Sequence, residues 1–91
     1  MGDGAASWLY GRALYTFSTA GDTRFSRTLL AKAQNANHHV PDYLLRRKQL
    51  PGKVPRLVGM GDENEAVICT LEQMGAWRTI PGALRWLAAH T

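Results

Sequence analysis

The sequence predicts an all-α domain: an antiparallel helical hairpin, a short helix, a Pro/Gly-rich connector and two further helices. Two observations lead to this prediction. Apolar residues recur every three or four positions in four stretches of the chain, which is typical of amphipathic helices. No stretch alternates apolar and polar residues over the length of a strand. Since 91 residues suit one small domain, we expect residues 1–91 to form a single unit.

The first helix is predicted from the apolar spacing of Leu9, Ala13 and Phe17. Ser7 precedes this pattern and is a candidate N-cap. Gly21 follows it and can supply the left-handed residue that ends many helices. We therefore expect the first helix to extend from Ser7 to just before Gly21.

The second helix follows almost at once. Asp22 or Thr23 can cap it, and Phe25, Leu29 and Ala33 form its apolar stripe. Two helices joined by so short a turn must be adjacent and antiparallel. The sequence therefore predicts a helical hairpin.

We assign residues 7–38 to this hairpin and residues 41–91 to a divergent tail that packs on it as a C-terminal cap. Pro41 fits the first turn of a short third helix, because the N–H groups of that turn have no partner within the helix and the N–H that proline lacks is not needed there. Two prolines and three glycines in residues 50–61 indicate a connector.

Two further helices follow the connector. Asp62 is a predicted N-cap, and Glu63 and Glu65 would favour the positive end of the helix dipole. Trp77 and Trp86 lie near apolar stripes and are predicted core residues. We expect the last helix to begin at residues 79–81, with its proline in the first turn.

The formal net charge is +4, and the positive charge is concentrated in the middle of the chain. Residues 40–57 hold five basic residues against one acidic residue. Arg46 and Arg47 are therefore candidate contacts for an acidic partner. An alternative is a nucleic-acid surface on the segment from Arg46 to Arg56, although its short, proline-bounded helix offers few base-reading side chains. A third interpretation is a solvated face without a partner.

The sequence offers no set of residues for catalysis, a cofactor or a metal ion. Cys69 is the single cysteine, and the adjacent His38 and His39 would point apart on any regular element. No nucleophile, base and acid share a recognisable spacing. We therefore expect a non-enzymatic chain without cofactor or metal.

No apolar run approaches the roughly 20 residues that cross a bilayer, and none resembles the core of a signal peptide. We therefore expect no membrane partner. A lone thiol is typical of a reducing compartment, so the expected location is cytoplasmic.

The hairpin resembles a tetratricopeptide repeat, which pairs an aromatic-rich first helix with a Gly-Asp turn and a second helix of alternating small and large residues. The matching positions are Tyr10, Ala13, Leu14, Phe17, Gly21, Asp22, Ser26, Leu30, Ala33 and Asn37. Two positions depart from the pattern: Leu14 is larger than usual, and His38 stands where proline is common.

The rest of the chain is similar to the C-terminal region of the suppressor-of-tumorigenicity-7 family and to related bacterial proteins of unassigned function. The segments that carry this similarity are Asn37-His38-His39-Val40-Pro41-Asp42-Tyr43-Leu44-Leu45, Leu50-Pro51, Gly61-Asp62, Glu65-Ala66, Trp77 and Gly82-Ala83-Leu84 with Leu87. The resemblance spans residues 9–88. It implies helical repeats that make protein–protein contacts, and it supplies no catalytic residues.

We therefore expect a non-catalytic interaction module that belongs to the C-terminal part of a larger protein or associates with itself. In such repeats the groove lies on the first helix, on the face turned away from its partner. That face would carry Trp8, Gly11, Arg12, Tyr15 and Ser18. An apolar patch of Trp8, Leu9, Tyr15 and Phe25 would bind a protein or peptide, an upstream repeat or a second copy of the chain.

Overall fold

A computed structural model describes residues 5–54, 59 and 61–91, and these residues form five helices and no strand. The helices are α1 (Ala5–Ala20), α2 (Arg24–Ala36), α3 (Val40–Leu44), α4 (Glu63–Thr79) and α5 (Ala83–Ala89). The predicted all-α class is confirmed. Helices α1 and α2 pack together, α4 packs against α1 and α3, and α5 contacts α1, α3 and α4.

The turn between α1 and α2 follows the local signals of the sequence. Gly21 has φ 75° and donates its N–H to the carbonyl of Phe17 at 2.7 Å, which ends α1. Thr23, rather than Asp22, caps α2. Its hydroxyl accepts from the N–H of Ser26 at 3.0 Å, and the Ser26 hydroxyl accepts from the N–H of Thr23 at 2.8 Å.

The prediction that Ser7 caps α1 is wrong. The described part of the helix already includes Ala5, so Ser7 lies inside it. The Ser7 hydroxyl donates instead to Oε1 of Glu72 on α4, at 2.6 Å. The residue therefore links two helices rather than ending one.

The last helix begins later than expected. Thr79 still belongs to α4, and Ile80 is its extended C-cap, donating its N–H to the carbonyl of Ala76 at 3.1 Å. A proline disfavours helical geometry in the residue before it, so Pro81 forces this break. Gly82 follows with φ 80°, and α5 begins only at Ala83.

Helix α3 ends at Leu44, and a turn follows it. The N–H of Arg47 donates to the carbonyl of Asp42 at 2.7 Å, and the N–H of Arg46 donates to that of Tyr43 at 3.1 Å. These two bonds are the Schellman motif, whose left-handed residue is usually glycine. Here that residue is Arg46, with φ 61°.

Three aromatic rings form the centre of the core and hold α5 against the hairpin. Trp77 is 0% exposed and stacks on Trp86, with ring centroids 6.4 Å apart. Trp86 also stacks on Phe17 at 4.5 Å. The predicted burial of both tryptophans is confirmed. Leu71 of α4, by contrast, is 44% exposed.

Replacing Trp77 by alanine tests this core. We expect Trp77→Ala to lower the free energy of unfolding by about 3–5 kcal/mol, because it removes a fully buried ring and leaves a cavity. Urea denaturation followed by circular dichroism measures the change. Trp8→Ala is the matched control, since Trp8 is 66% exposed and its loss should change stability by only about 0.5 kcal/mol. Equal losses of stability in Trp77→Ala and Trp8→Ala would contradict the central place of Trp77 in the core.

Asp22 anchors α5 to the hairpin turn. Its Oδ1 accepts from the indole Nε1 of Trp86 at 3.0 Å and from Nε of Arg27 at 2.7 Å, and Nε2 of His90 lies 3.7 Å away. The Arg27 guanidinium, with the Trp86 indole N–H, holds the pKa of Asp22 below its usual value.

This lowered pKa predicts a pH dependence. The stabilisation by Asp22 is fully present above its unfolded pKa of about 4, and is lost as the pH falls through the lower folded pKa. We expect Asp22→Asn to flatten the acid side of the stability curve. Arg27→Gln should make the acid loss smaller, because it removes the main cause of the lowered pKa and so brings the folded pKa of Asp22 closer to the unfolded one. Urea midpoints measured across acidic pH check this, and an unchanged acid limb in both variants would contradict it.

Candidate functional site

A groove on the exposed face of α1 is the strongest candidate for a contact surface. Trp8 and Tyr15 are 66% and 69% exposed, and their spacing places them on the same face of the helix, two turns apart. Gly11 lies between them, beside Arg12. The groove has a volume of about 400 Å³ and is lined by Ser7, Trp8, Gly11, Arg12 and Tyr15. We call this surface the α1 groove.

Helix α4 holds one edge of the α1 groove in place. Nε2 of Gln73 donates to the carbonyl of Ser7 at 2.7 Å, while its Oε1 accepts from the indole Nε1 of Trp77 at 3.3 Å. A Cβ added at Gly11 would lie 3.4 Å from Nε2 of Gln73. Such a Cβ would make an ordinary van der Waals contact with Gln73, and without it the groove has no side chain at position 11.

Trp8, Arg12 and Tyr15, all predicted contact residues, lie together in the groove. Ser18 is also exposed, but it does not line the groove, and its hydroxyl donates to the carbonyl of Tyr15 at 2.7 Å. The prediction that Leu9 belongs to an exposed patch is wrong. Leu9 is partly buried and packs against the core, because it lies on the side of α1 that faces the other helices.

Phe25 is 57% exposed, as the patch prediction required, but it lies at the other end of the hairpin from Trp8. It is the second residue of α2, and the start of α2 adjoins the end of α1. At 1.5 Å per residue, the distance from Trp8 to the end of α1 is roughly 18 Å. The four predicted patch residues therefore do not form one continuous surface.

Arg46 and Arg47 are not part of the α1 groove and line two different cavities. Arg47 pairs with Asp42 at 3.8 Å, and Lys48 pairs with Glu63. Both ion pairs reduce the positive charge that could bind the phosphates of a nucleic acid. Lys53 is exposed, and Arg56 lies outside the described residues. The local geometry therefore does not favour the nucleic-acid alternative.

A buried polar cluster, which the sequence did not reveal, positions α1 against α4. Glu65, which we expected only as a first-turn partner of the helix dipole, is 2% exposed. Its Oε1 accepts from Nδ2 of Asn37 at 3.0 Å and from the N–H of Gly61 at 2.7 Å. Its Oε2 accepts from the N–H of Ala6 in the first turn of α1, at 3.4 Å. One carboxyl group thus joins three separate parts of the chain.

Asn37 completes this cluster from the end of α2. Its Nδ2 also donates to the carbonyl of Asp62 at 2.8 Å, and its own carbonyl accepts from the Tyr10 hydroxyl at 2.7 Å. Burial raises the pKa of Tyr10 well above its usual value, so this hydroxyl stays a donor. Asp62 itself is the predicted N-cap of α4, and its Oδ1 accepts from the N–H of Glu65 at 2.8 Å.

Glu65→Ala tests the cluster. The substitution removes the carboxylate acceptor of the Gly61 and Ala6 N–H groups and one of the two acceptors of Asn37 Nδ2, so we expect a loss of at least about 3 kcal/mol of unfolding free energy. Glu72→Ala is the matched control on the same helix, because Glu72 is exposed and its loss should cost about 1 kcal/mol or less. Chemical denaturation measures both values. A Glu65→Ala variant as stable as the control would show that the cluster does not hold the helices.

The groups that could support metal or thiol chemistry are not arranged for it. Cys69 is buried, and burial raises the pKa of its thiol to about 12. His38 and His39 lie in a turn rather than on a regular element, and their ring centroids are 4.1 Å apart. Within the described ranges, no three His, Cys, Asp or Glu side chains are placed to hold a metal ion.

The helices in the described part of the chain are all too short or too polar to cross a bilayer. No family model, no curated protein and no solved structure matches this chain. The resemblance to tetratricopeptide repeats and to the suppressor-of-tumorigenicity-7 family therefore remains a hypothesis from the sequence. Any function has to be argued from the geometry of the surfaces described above.

Proposed function

We propose that this chain is a non-catalytic interaction module that binds a segment of a partner protein in the α1 groove. The observation that carries the proposal is the pair of exposed aromatic rings, Trp8 and Tyr15, on either side of Gly11. Tryptophan and tyrosine are enriched among the residues that dominate binding energies at protein interfaces. The two rings and the backbone of Gly11 between them form a recess that can hold one apolar side chain of a partner.

Arg12 indicates the charge of the partner segment. It is exposed beside the groove and forms no ion pair with any carboxylate of the described residues. The chain as a whole has a net charge of +4. An acidic residue next to the apolar side chain would therefore complement the groove.

A second copy of the chain complements this surface less well. In a two-fold dimer the same patch meets itself, so two copies of Arg12 would share one small interface. The partner we propose is therefore a different protein. Self-association is the outcome that sedimentation at several protein concentrations would reveal. An apolar dimer contact would persist at high salt, whereas one through Arg46 and Arg47 would weaken.

The family resemblance supports the same class of function. A tetratricopeptide-like hairpin implies binding on the first helix, where the α1 groove lies. A cytoplasmic location and a place in a longer helical-repeat protein are part of this proposal.

A displayed peptide library tests the proposal. We expect selected peptides to combine an apolar residue with a nearby Asp or Glu. Trp8→Ala and Tyr15→Ala should each weaken the selected peptides by about tenfold or more, because each removes a ring that contacts the apolar side chain. Arg12→Gln should weaken binding and reduce its dependence on salt. Fluorescence anisotropy with a labelled peptide measures these affinities.

Phe25→Ala is the matched control, because Phe25 is a similarly exposed aromatic residue at the other end of the hairpin. Its affinity for the selected peptides should equal that of the unmodified chain. Equal losses for Phe25→Ala and Trp8→Ala would show non-specific apolar binding and contradict the proposed groove. Selection of peptides without acidic residues would contradict the role of Arg12.

A further inference from the structure

A second cavity lies along a neighbouring stripe of α4, and none of its lining residues lines the α1 groove. It has a volume of about 260 Å³ and lies between α4 and the segment that follows α3. Thr70, Met74 and Arg78 line it from α4, at spacings of four residues that form one stripe of the helix. Residues 43–50 supply most of the opposite wall, including the apolar Leu44 and Leu50.

Three cationic side chains line this cavity: Arg46, Lys48 and Arg78. Lys48 is already paired with Glu63. Arg46 and Arg78 form no ion pair with a carboxylate anywhere in the described part of the chain. Two guanidinium groups at a partly apolar cavity are thus available for an anion, and their planar forks suit a carboxylate or a phosphate.

The wall of the cavity also contains an unsatisfied polar group. Thr70 is only 1% exposed, and its Oγ1 is a buried polar atom that has no hydrogen-bond partner among the described residues. Buried hydroxyls almost always have a partner, so an unpaired one requires an explanation. Rotation of the Thr70 side chain about χ1 would turn this hydroxyl towards the cavity, where a bound ligand with an acceptor atom would provide the missing hydrogen bond.

Arg46 adds a third, independent observation. It occupies the left-handed position of a Schellman motif, with φ 61°, where glycine is the favoured residue. A non-glycine residue in this conformation strains the backbone, and such strain is typical of binding sites. The left-handed conformation ends α3 through the two hydrogen bonds of the Schellman motif, a role that glycine would fill with less strain, and the arginine found there places a guanidinium at the cavity.

The surroundings of the cavity indicate which anion it suits. Glu63 accepts hydrogen bonds from Lys48 and from the Tyr43 hydroxyl, and these two donors hold the pKa of Glu63 below its usual range. A charged Glu63 beside Lys48 disfavours a phosphate dianion. The apolar Leu44, Leu50 and Met74 favour a ligand with a short hydrocarbon body. The volume is slightly below that of cavities for drug-sized molecules.

We propose that this cavity binds a small organic carboxylate. Its carboxylate lies between Arg46 and Arg78, its hydrocarbon body packs on Leu44 and Met74, and Thr70 donates its free hydroxyl to the ligand. Binding would involve no covalent step. The site is separate from the α1 groove, so this proposal does not depend on the proposed interaction function.

Titration of the full chain with hexanoate, followed by amide NMR spectra, tests the proposal. We expect saturable shifts confined to residues 43–50 and 70–78. Hexanol and inorganic phosphate are the two ligand controls, because hexanol lacks the charge and phosphate lacks the hydrocarbon body. Each should bind at least about tenfold more weakly than hexanoate. Equal affinity for either control, or shifts spread over the whole surface, would overturn the proposal.

Three variants test which side chains of the cavity contact hexanoate. Arg78→Gln should weaken hexanoate binding by about tenfold, whereas Arg24→Gln, an exposed arginine on α2, should leave it unchanged. Thr70→Val keeps the shape of the side chain and should weaken binding several-fold without lowering the melting temperature. No loss of affinity in either Arg78→Gln or Thr70→Val would overturn the proposed site.

Arg46→Gly separates a binding role from a structural one. Glycine relieves the strain at the left-handed position, so we expect the melting temperature to rise by about 4–8 °C. The same variant should lose about tenfold in hexanoate affinity, because it removes one guanidinium. A higher melting temperature with unchanged hexanoate affinity would contradict a binding role for Arg46. A lower melting temperature would contradict the inferred backbone strain at Arg46.

Discussion

The buried carboxyl group of Glu65 fixes the arrangement of the helices. It accepts hydrogen bonds from the end of α2 through Asn37, from the connector through Gly61 and from the first turn of α1 through Ala6. A buried carboxyl group is costly unless its oxygens are paired, so only one relative placement of these three segments satisfies it. Together with the apolar packing of the core, these hydrogen bonds set the register of α4 against α1.

The two surfaces for which we propose partners follow from that register. Gln73 and Trp77 extend from α4 towards α1 and hold the edge of the α1 groove. Thr70 and Arg78, on a neighbouring stripe of the same helix, line the carboxylate cavity. A second anchor is independent of α4: Asp22 holds Trp86, and through it α5, at the hairpin turn. Loss of the Asp22 contacts should therefore loosen α5 while leaving both surfaces in place.

The parts of this fold that the sequence predicts are those with local causes. Gly21 and Asp62 end and begin helices through contacts within a few residues, and the burial of Trp77 follows from helical spacing. The errors have two origins. Pro81 was assigned to the first turn of a helix, although it equally well breaks the helix before it. The burial of Glu65 depends on residues 28 or more positions away, and no local pattern records such contacts.

The two proposed sites share a property that folding alone does not explain. A domain of 91 residues has a small core and a narrow margin of stability. Yet Trp8 and Tyr15 keep about two thirds of their surface in water, and Arg46 occupies a backbone position suited to glycine. Burial of the rings or a glycine at position 46 would stabilise the isolated chain. Features that cost stability in so small a protein, and that also lie at a groove and a cationic cavity, are best explained by binding. A partner segment and a carboxylate would supply contacts that the described part of the isolated chain does not make.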